Sequence, residues 1–300
     1  MAGFVVRIVP GKGDKAMAEP SGVMKHIDLV KGEDAILLIH GLSGSPLEMQ
    51  FVARSLYKAG FSVRVPRFSK HGFGENSRSE KWQHWLDEVL QHFDEMKTRY
   101  RTVSVCGLCI GAVLAMKLAS EREVASLSLF STTLYFDGWN IPWYRFLLNI
   151  GYHTPFRYLY SYQESEPYGI KNEQLRAWIS REMGEKSTFA ALTGKIPMTR
   201  LYQAEELIKE AKRILPEVTT PTLLIHSLED DTSTIRSANY VEHHIGSKKV
   251  RKVFLDNSYH NITMDNQKDI VAEETVRFVK EIISNRSAPH TAEFDTIRIA

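Results

Sequence analysis

Cys109 stands between two glycines in Gly107-Leu108-Cys109-Ile110-Gly111, directly after the β-branched run Thr102-Val103-Ser104-Val105-Cys106. Small residues, Ala112-Val113-Leu114-Ala115, continue the chain. A strand that turns sharply into a helix needs glycine two residues before and two after the residue at its tip, because a Cβ at either place would strike a neighbouring strand or helix. The side chain at the tip is then lifted to the edge of the sheet. At a helix start, unpaired N–H groups and aligned peptide dipoles favour an anion, so this spacing predicts a reactive sulfur nucleophile at Cys109.

A five-residue Gly-x-Cys-x-Gly match is weak alone, and three other segments strengthen it. The run Ala35 to Ile39 ends in His40-Gly41-Leu42-Ser43-Gly44. Such a loop can supply one backbone N–H to a developing oxyanion, the second coming from the residue after the nucleophile; the donors expected here are Leu42 and Ile110. The run Thr222 to His226 is followed by Ser227-Leu228-Glu229-Asp230-Asp231, and Val250 to Leu255 by Asp256-Asn257-Ser258-Tyr259-His260. Nucleophile, acid and histidine thus follow in one chain order, each just past a candidate strand.

These residues need a frame to bring them together. Candidate strands lie at 35–39, 61–65, 102–106, 125–130, 222–226 and 250–255, and helical patterns at 46–58, 80–99, 112–121, 235–245 and 268–283. Strands that are apolar almost throughout, alternating with helices, predict an α/β fold with a parallel sheet covered on both faces. The alternation breaks between about Thr133 and Pro216. Of the chain's 31 aromatics (14 Phe, 12 Tyr, 5 Trp), 12 fall in the 36 residues from 133 to 168. That crowding predicts an inserted helical lid whose rings line an acyl groove, or a subdomain that uses them as its own core.

Composition removes other classes. The 300 residues, 43% of them hydrophobic, can build one large domain, and a formal charge of +2 gives no basic field for nucleic acid. No apolar run approaches the roughly 20 residues of a membrane span. Arg7 interrupts the apolar stretch Gly3 to Pro10 and no small-residue cleavage site follows, so a cytoplasmic protein is expected.

The chain resembles the α/β-hydrolase superfamily, most closely its bacterial carboxylesterase and monoacylglycerol-lipase branch. The resemblance rests on ILLIHGLSGSP at 36–46, VPRFSKHG at 65–72, Trp82 to Trp85, VCGLCIGA at 105–112, LEDDTSTIRSANYV at 228–241 and NSYHNITMD at 257–265. It implies a mostly parallel central sheet, with a core at 24–132 and 217–284, a helical aromatic-rich cap at 133–216 and a C-terminal tail at 285–300. It further implies Cys109 as nucleophile, Asp230 as acid with Asp231 as the alternative, His260 as base, and the Leu42 and Ile110 amides as the oxyanion hole. No cofactor and no metal are implied.

Most members of that superfamily carry serine where this chain has Cys109. A thiol forms a thioester acyl-enzyme, readily made from another thioester and readily attacked by amines. The expected activity is hydrolysis of an ester or thioester of a hydrophobic acyl group, including one borne on CoA or a carrier; transfer to an alcohol or amine is the alternative, and a non-catalytic binding protein a further one. Cysteine at this turn also resembles polyhydroxyalkanoate synthases and dienelactone hydrolases, and an engineered or decayed site is a further alternative.

Competing readings are weaker. Cys106-Gly107-Leu108-Cys109 is a C-x-x-C at a helix start, as in thioredoxin-like proteins, but redox chemistry leaves His40-Gly41, Asp230 and His260 without a role. Zinc needs four ligands, and the adjacent His243-His244 lack the spacing. His40 is expected to be a loop residue, with His71, His84 and His92 exposed. Ser43 and Ser45 are expected to cap the helix from Pro46, Trp82 and Trp85 to be core, and Asp265 to orient the His260 loop or cap a helix.

Overall fold

The structure is a computed structural model and describes residues 26–42, 44–68, 81–163, 165–184 and 195–287. Seven strands form the main sheet: β1 (His26–Leu29), β2 (Asp34–Ile39), β3 (Ser62–Pro66), β4 (Thr102–Leu108), β5 (Leu127–Phe130), β8 (Thr222–Ser227) and β9 (Val250–Leu255). Their order is β1-β3-β2-β4-β5-β8-β9, parallel throughout except that β1 runs against β3. The antiparallel edge strand β1 has no counterpart in the sequence reading, because its four residues are too short to show a period.

Alternate residues of each strand feed two separate cores. Ala35, Leu37 and Ile39 of β2 join Val103 and Val105 of β4 on one face, under α2 (Trp82–Lys97), α3 (Ile110–Glu121) and α6 (Met198–Ile214). Ile36, Leu38, Cys106 and Leu108 face the other way, toward α1 (Gln50–Lys58) and α8 (Lys268–Ser287). A sheet buried on both faces requires such apolar strands. The chain winds from β2 outward to β3 and then returns to β4 on the other side, so a crevice opens beyond the C-terminal ends of β2 and β4.

Between β5 and β8 the chain makes short 3-10 turns at Trp143–Leu147 and Pro155–Tyr158, α4 (Leu148–Gly151), α5 (Glu173–Gly184) and a two-stranded antiparallel pair of β6 (Ser161–Gln163) with β7 (Lys195–Pro197). Helix α6 ends this interval, yet Ala204, Leu207, Ile208, Ala211 and Ile214 pack into the main core. Helix α8 runs to Ser287, further than its apolar period suggests, and residues 288–300 lie outside the described residues, as do Ser43, His71 and residues 1–25. Helix α7 (Arg236–His244) completes the set, and no helix among the described residues is long and apolar enough to cross a membrane.

The aromatics divide by place. Trp85 is wholly buried, whereas Trp143 is 83% exposed. Trp85→Ala is therefore expected to cost about 3–5 kcal/mol in urea unfolding, and Trp143→Ala to stay within about 0.5 kcal/mol of the parent.

Candidate active site

The turn after β4 is built on close backbone approaches. A Cβ at Gly107 would lie 2.3 Å from the carbonyl oxygen of Gly111, and one at Gly111 would lie 2.4 Å from those of Ile39 and His40. Between them Cys109 adopts φ 56° and ψ −119°, a conformation an L-residue holds only under constraint. Its N–H donates to the Phe130 carbonyl at 3.0 Å, and its carbonyl accepts from the Ala112 N–H at 3.1 Å. The sulfur is half-buried and lies 3.3 Å from Thr133 Oγ1, which is itself 3.2 Å from the Ser131 carbonyl. Thr133 escaped the sequence reading because nothing in its neighbours marks it.

His260 reaches the same cavity from the loop after β9. Its Nδ1 lies 2.8 and 2.9 Å from the two carboxylate oxygens of Asp230. Asp230 is buried, and its Oδ1 also accepts the N–H groups of Thr232 at 2.9 Å and Ser233 at 2.7 Å. Burial alone would raise the Asp230 pKa, but the charge and hydrogen bond of His260, followed by His226, hold it below the ordinary carboxylate value. Burial alone would lower that of His260; Asp230 and then Cys109 outweigh it and raise the imidazole well above its usual value. Cys109 raises the ring both by its charge and as a hydrogen-bond partner, though the contact at the buried Nε2 is too long or too poorly aligned to count as a full hydrogen bond in the resting geometry. Such contacts commonly tighten only when substrate arrives.

The tandem acids separate by direction. Asp231 Oδ1 accepts the backbone N–H of His260 at 3.3 Å and Oδ2 that of Gly169 at 3.2 Å, so this carboxylate holds the loop and leaves the ring to Asp230. Desolvation raises the Asp231 pKa. Asp265, also buried, accepts from Tyr259 at 2.8 Å, Lys171 at 2.7 Å and Asn172 at 2.8 Å. It orients the His260 loop by tying it to the segment after Gly169. His226 is a second imidazole on Asp230, with Nε2 3.3 Å from Oδ2 and 2.7 Å from the Ser233 carbonyl.

On the other side of the crevice, the Gly41 N–H donates to buried Glu48 at 3.2 Å, which fixes the loop that carries Leu42. Leu42 and Ile110 line the cavity with Cys109, and among the described residues no group accepts from either backbone N–H. His40 is a buried loop residue whose Nδ1 lies 2.9 Å from the Gly41 carbonyl, and burial lowers its pKa to about 4. Ser45 caps the first turn at Pro46 by accepting from the Leu47 N–H at 3.3 Å. Trp85 is core and Trp82 packs against it.

One reading changes, that of His92, whereas Cys106 is buried as an apolar strand end predicts. His92 is not an exposed residue: it sits against His26 and Phe68, and burial lowers its pKa to about 4. Cys106 points into the second core, and burial pushes its thiol up to about 12, so it supplies no thiolate to a C-x-x-C couple with Cys109.

Residues 31–267 match the model of the family described as "Serine aminopeptidase, S33". The chain belongs to this family. Among characterised relatives, a carboxylesterase of Bacillus subtilis (strain 168) is 22% identical over 253 residues, 84% of this chain and 94% of the relative. A thermostable monoacylglycerol lipase of Bacillus sp. (strain H-257) is 26% identical over 249 residues, 82% of this chain and 90% of that one. A solved structure from the metagenome-derived lipolytic enzymes LipS and LipT superposes with a TM-score of 0.71 at 23% identity, covering 86% of this chain and 97% of the other. The monoacylglycerol lipase of Paleococcus ferrophilus gives 0.67 at 17%, covering 86% and 98%. The fold is that of the α/β-hydrolases.

Two measurements probe this geometry. Gly111→Ala is expected to lower stability by about 1–3 kcal/mol in urea unfolding, because its new methyl meets backbone rather than a movable side chain. In NMR titrations of the His260 ring, Asp230→Asn removes a group that raises the pKa, so the midpoint moves to lower pH. Asp231→Asn, bonded to the backbone N–H instead, moves it less; equal displacements would reject the division of labour between the two acids.

Proposed function

We propose that the protein hydrolyses carboxylic esters or thioesters of a hydrophobic acyl group, using Cys109, His260 and Asp230 and passing through a thioester acyl-enzyme. The observation that carries this reading is the His260 ring, clasped by the buried Asp230 carboxylate and lining one cavity with a cysteine held at φ 56°. The names of the two Bacillus relatives support an acyl ester as the bond attacked.

In this mechanism Nε2 of His260 takes the thiol proton as Sγ attacks the carbonyl carbon. The carbonyl oxygen gains the electron pair and is received by the N–H groups of Leu42 and Ile110. Collapse restores the C=O bond and breaks the bond to the alkoxide or thiolate, which leaves with the proton from His260. Water, deprotonated by the same ring, then attacks the thioester; the acid departs and Cys109 regains its proton. Asp230 holds the ring throughout and balances its positive charge without being protonated.

Residues 133–216 serve as the cap in this reading. Phe136, Ile141, Tyr144, Leu148 and Tyr160 from it line the cavity beside Cys109. Apolar walls of this kind suit an aliphatic or aromatic acyl group better than a small charged acid.

Cys109→Ala is expected to reduce kcat on activated esters and acyl thioesters by about 10³-fold or more, since the members of such a unit act together. Intact-mass spectrometry after brief incubation with a panel of acyl thioesters should show one acyl adduct on the parent protein and none on Cys109→Ala. An adduct that persists in that variant would place the nucleophile elsewhere. Adding an alcohol or amine acceptor separates hydrolysis from transfer: with hydrolysis, free acid remains the main product.

A further inference from the structure

One charged pair stands among the apolar walls of the cavity. Arg145, on the 3-10 turn Trp143–Leu147, donates from Nη2 to Glu205 Oε1 of α6 at 2.6 Å. Tyr152 donates from its hydroxyl to the same oxygen at 3.2 Å. The guanidinium lies 4.9 Å from the centre of the Phe136 ring. All three polar residues line the cavity that contains Cys109 and His260. Tyr152 is buried, and burial followed by the charge of Glu205 pushes its phenol pKa up, so it stays a donor. Among the described residues no hydrogen bond reaches Glu205 Oε2, or leaves Arg145 from Nε or Nη1.

The group therefore offers the cavity both donors and an acceptor while its formal charge is zero. A carboxylate bound there would meet Glu205, and an ammonium would meet Arg145. A purely hydrocarbon chain would cover the open N–H groups and Oε2 without replacing their water, at a cost of about 1–3 kcal/mol for each group left unpaired. A hydroxyl satisfies both sides at once: its O–H donates to Oε2 and its lone pair accepts from Arg145.

We propose that Arg145, Glu205 and Tyr152 select an acyl substrate whose chain carries a hydroxyl group apart from the reacting carboxyl. The proposal rests on the acyl-hydrolase reading for its reaction but not for its binding. If the pair served only as a structural clamp between the 3-10 turn and α6, the site would show no preference for the hydroxyl.

The experiment compares a homologous series of straight-chain acyl thioesters with their hydroxylated counterparts, position by position along the chain. At one hydroxyl position the parent protein is expected to favour the hydroxylated member by about tenfold or more in kcat/KM, because a site built to bond an O–H rejects the analogue that lacks it. The ratio should fall toward one in the double variant Arg145→Met and Glu205→Leu, which replaces the half-buried pair by hydrocarbon and avoids leaving one of its charges alone. No preference at any position, or a preference unchanged in the double variant, overturns the proposal. Calorimetric binding of straight-chain ketones and their hydroxylated counterparts to Cys109→Ala keeps the two hypotheses apart. A hydroxyl preference in binding with no turnover of any thioester by the parent would sustain this site and overturn the acyl-hydrolase reading.

Discussion

The candidate site depends on one buried contact, the Asp230 carboxylate against Nδ1 of His260. A lone carboxylate in that position would pay a desolvation cost of several kcal/mol. Here the imidazole, two backbone N–H groups from Thr232 and Ser233 and the nearby His226 offset it together. The contact closes only if β8 and β9 end level with one another, and their parallel pairing from Thr222 opposite Val250 to Ser227 opposite Leu255 ensures that they do. The acid loop and the histidine loop leave adjacent strands at the same height.

Much of this frame is visible in the amino-acid order. Gly107 and Gly111 lie where backbone crowding demands them, and the apolar runs at β2, β4 and β8 announce strands buried on both faces. Asp230 and Asp231 could not be told apart from sequence, because adjacent residues on a loop can each face a partner and only the loop's path decides which. Thr133, His226 and Glu48 were silent for a related reason: each acts through a contact with a residue distant in the chain or with backbone, and neither leaves a period or motif. For Asp265 the sequence left open an orienting role and a helix cap, and its reach to Lys171 and Asn172 leaves no mark in the residue order. His92 misled because its helix carries many charged and polar residues, while its ring lies on the side that turns toward Phe68.

A sulfur nucleophile at the turn would alter the chemistry more than the architecture. The close approaches at Gly107 and Gly111 constrain backbone atoms alone, and would be equally needed for an oxygen nucleophile. The turn therefore does not distinguish the two elements. The distinction lies in the acyl-enzyme each would form, since a thioester keeps a more reactive carbonyl than an oxygen ester and passes its acyl group on more easily.

Asp231 and Asp265 join two parts of the molecule that sequence places far apart. The first bridges the amides of Gly169 and His260, and the second those of Lys171, Asn172 and Tyr259; the Asn261 amide returns the link by donating to the Gly169 carbonyl at 2.7 Å. Gly169 also lines the cavity, so the cavity wall and the main chain that carries the imidazole share one set of backbone hydrogen bonds. By reciprocity, a guest on that wall that changed the proton affinity of the ring would have its own affinity changed by protonation by the same factor.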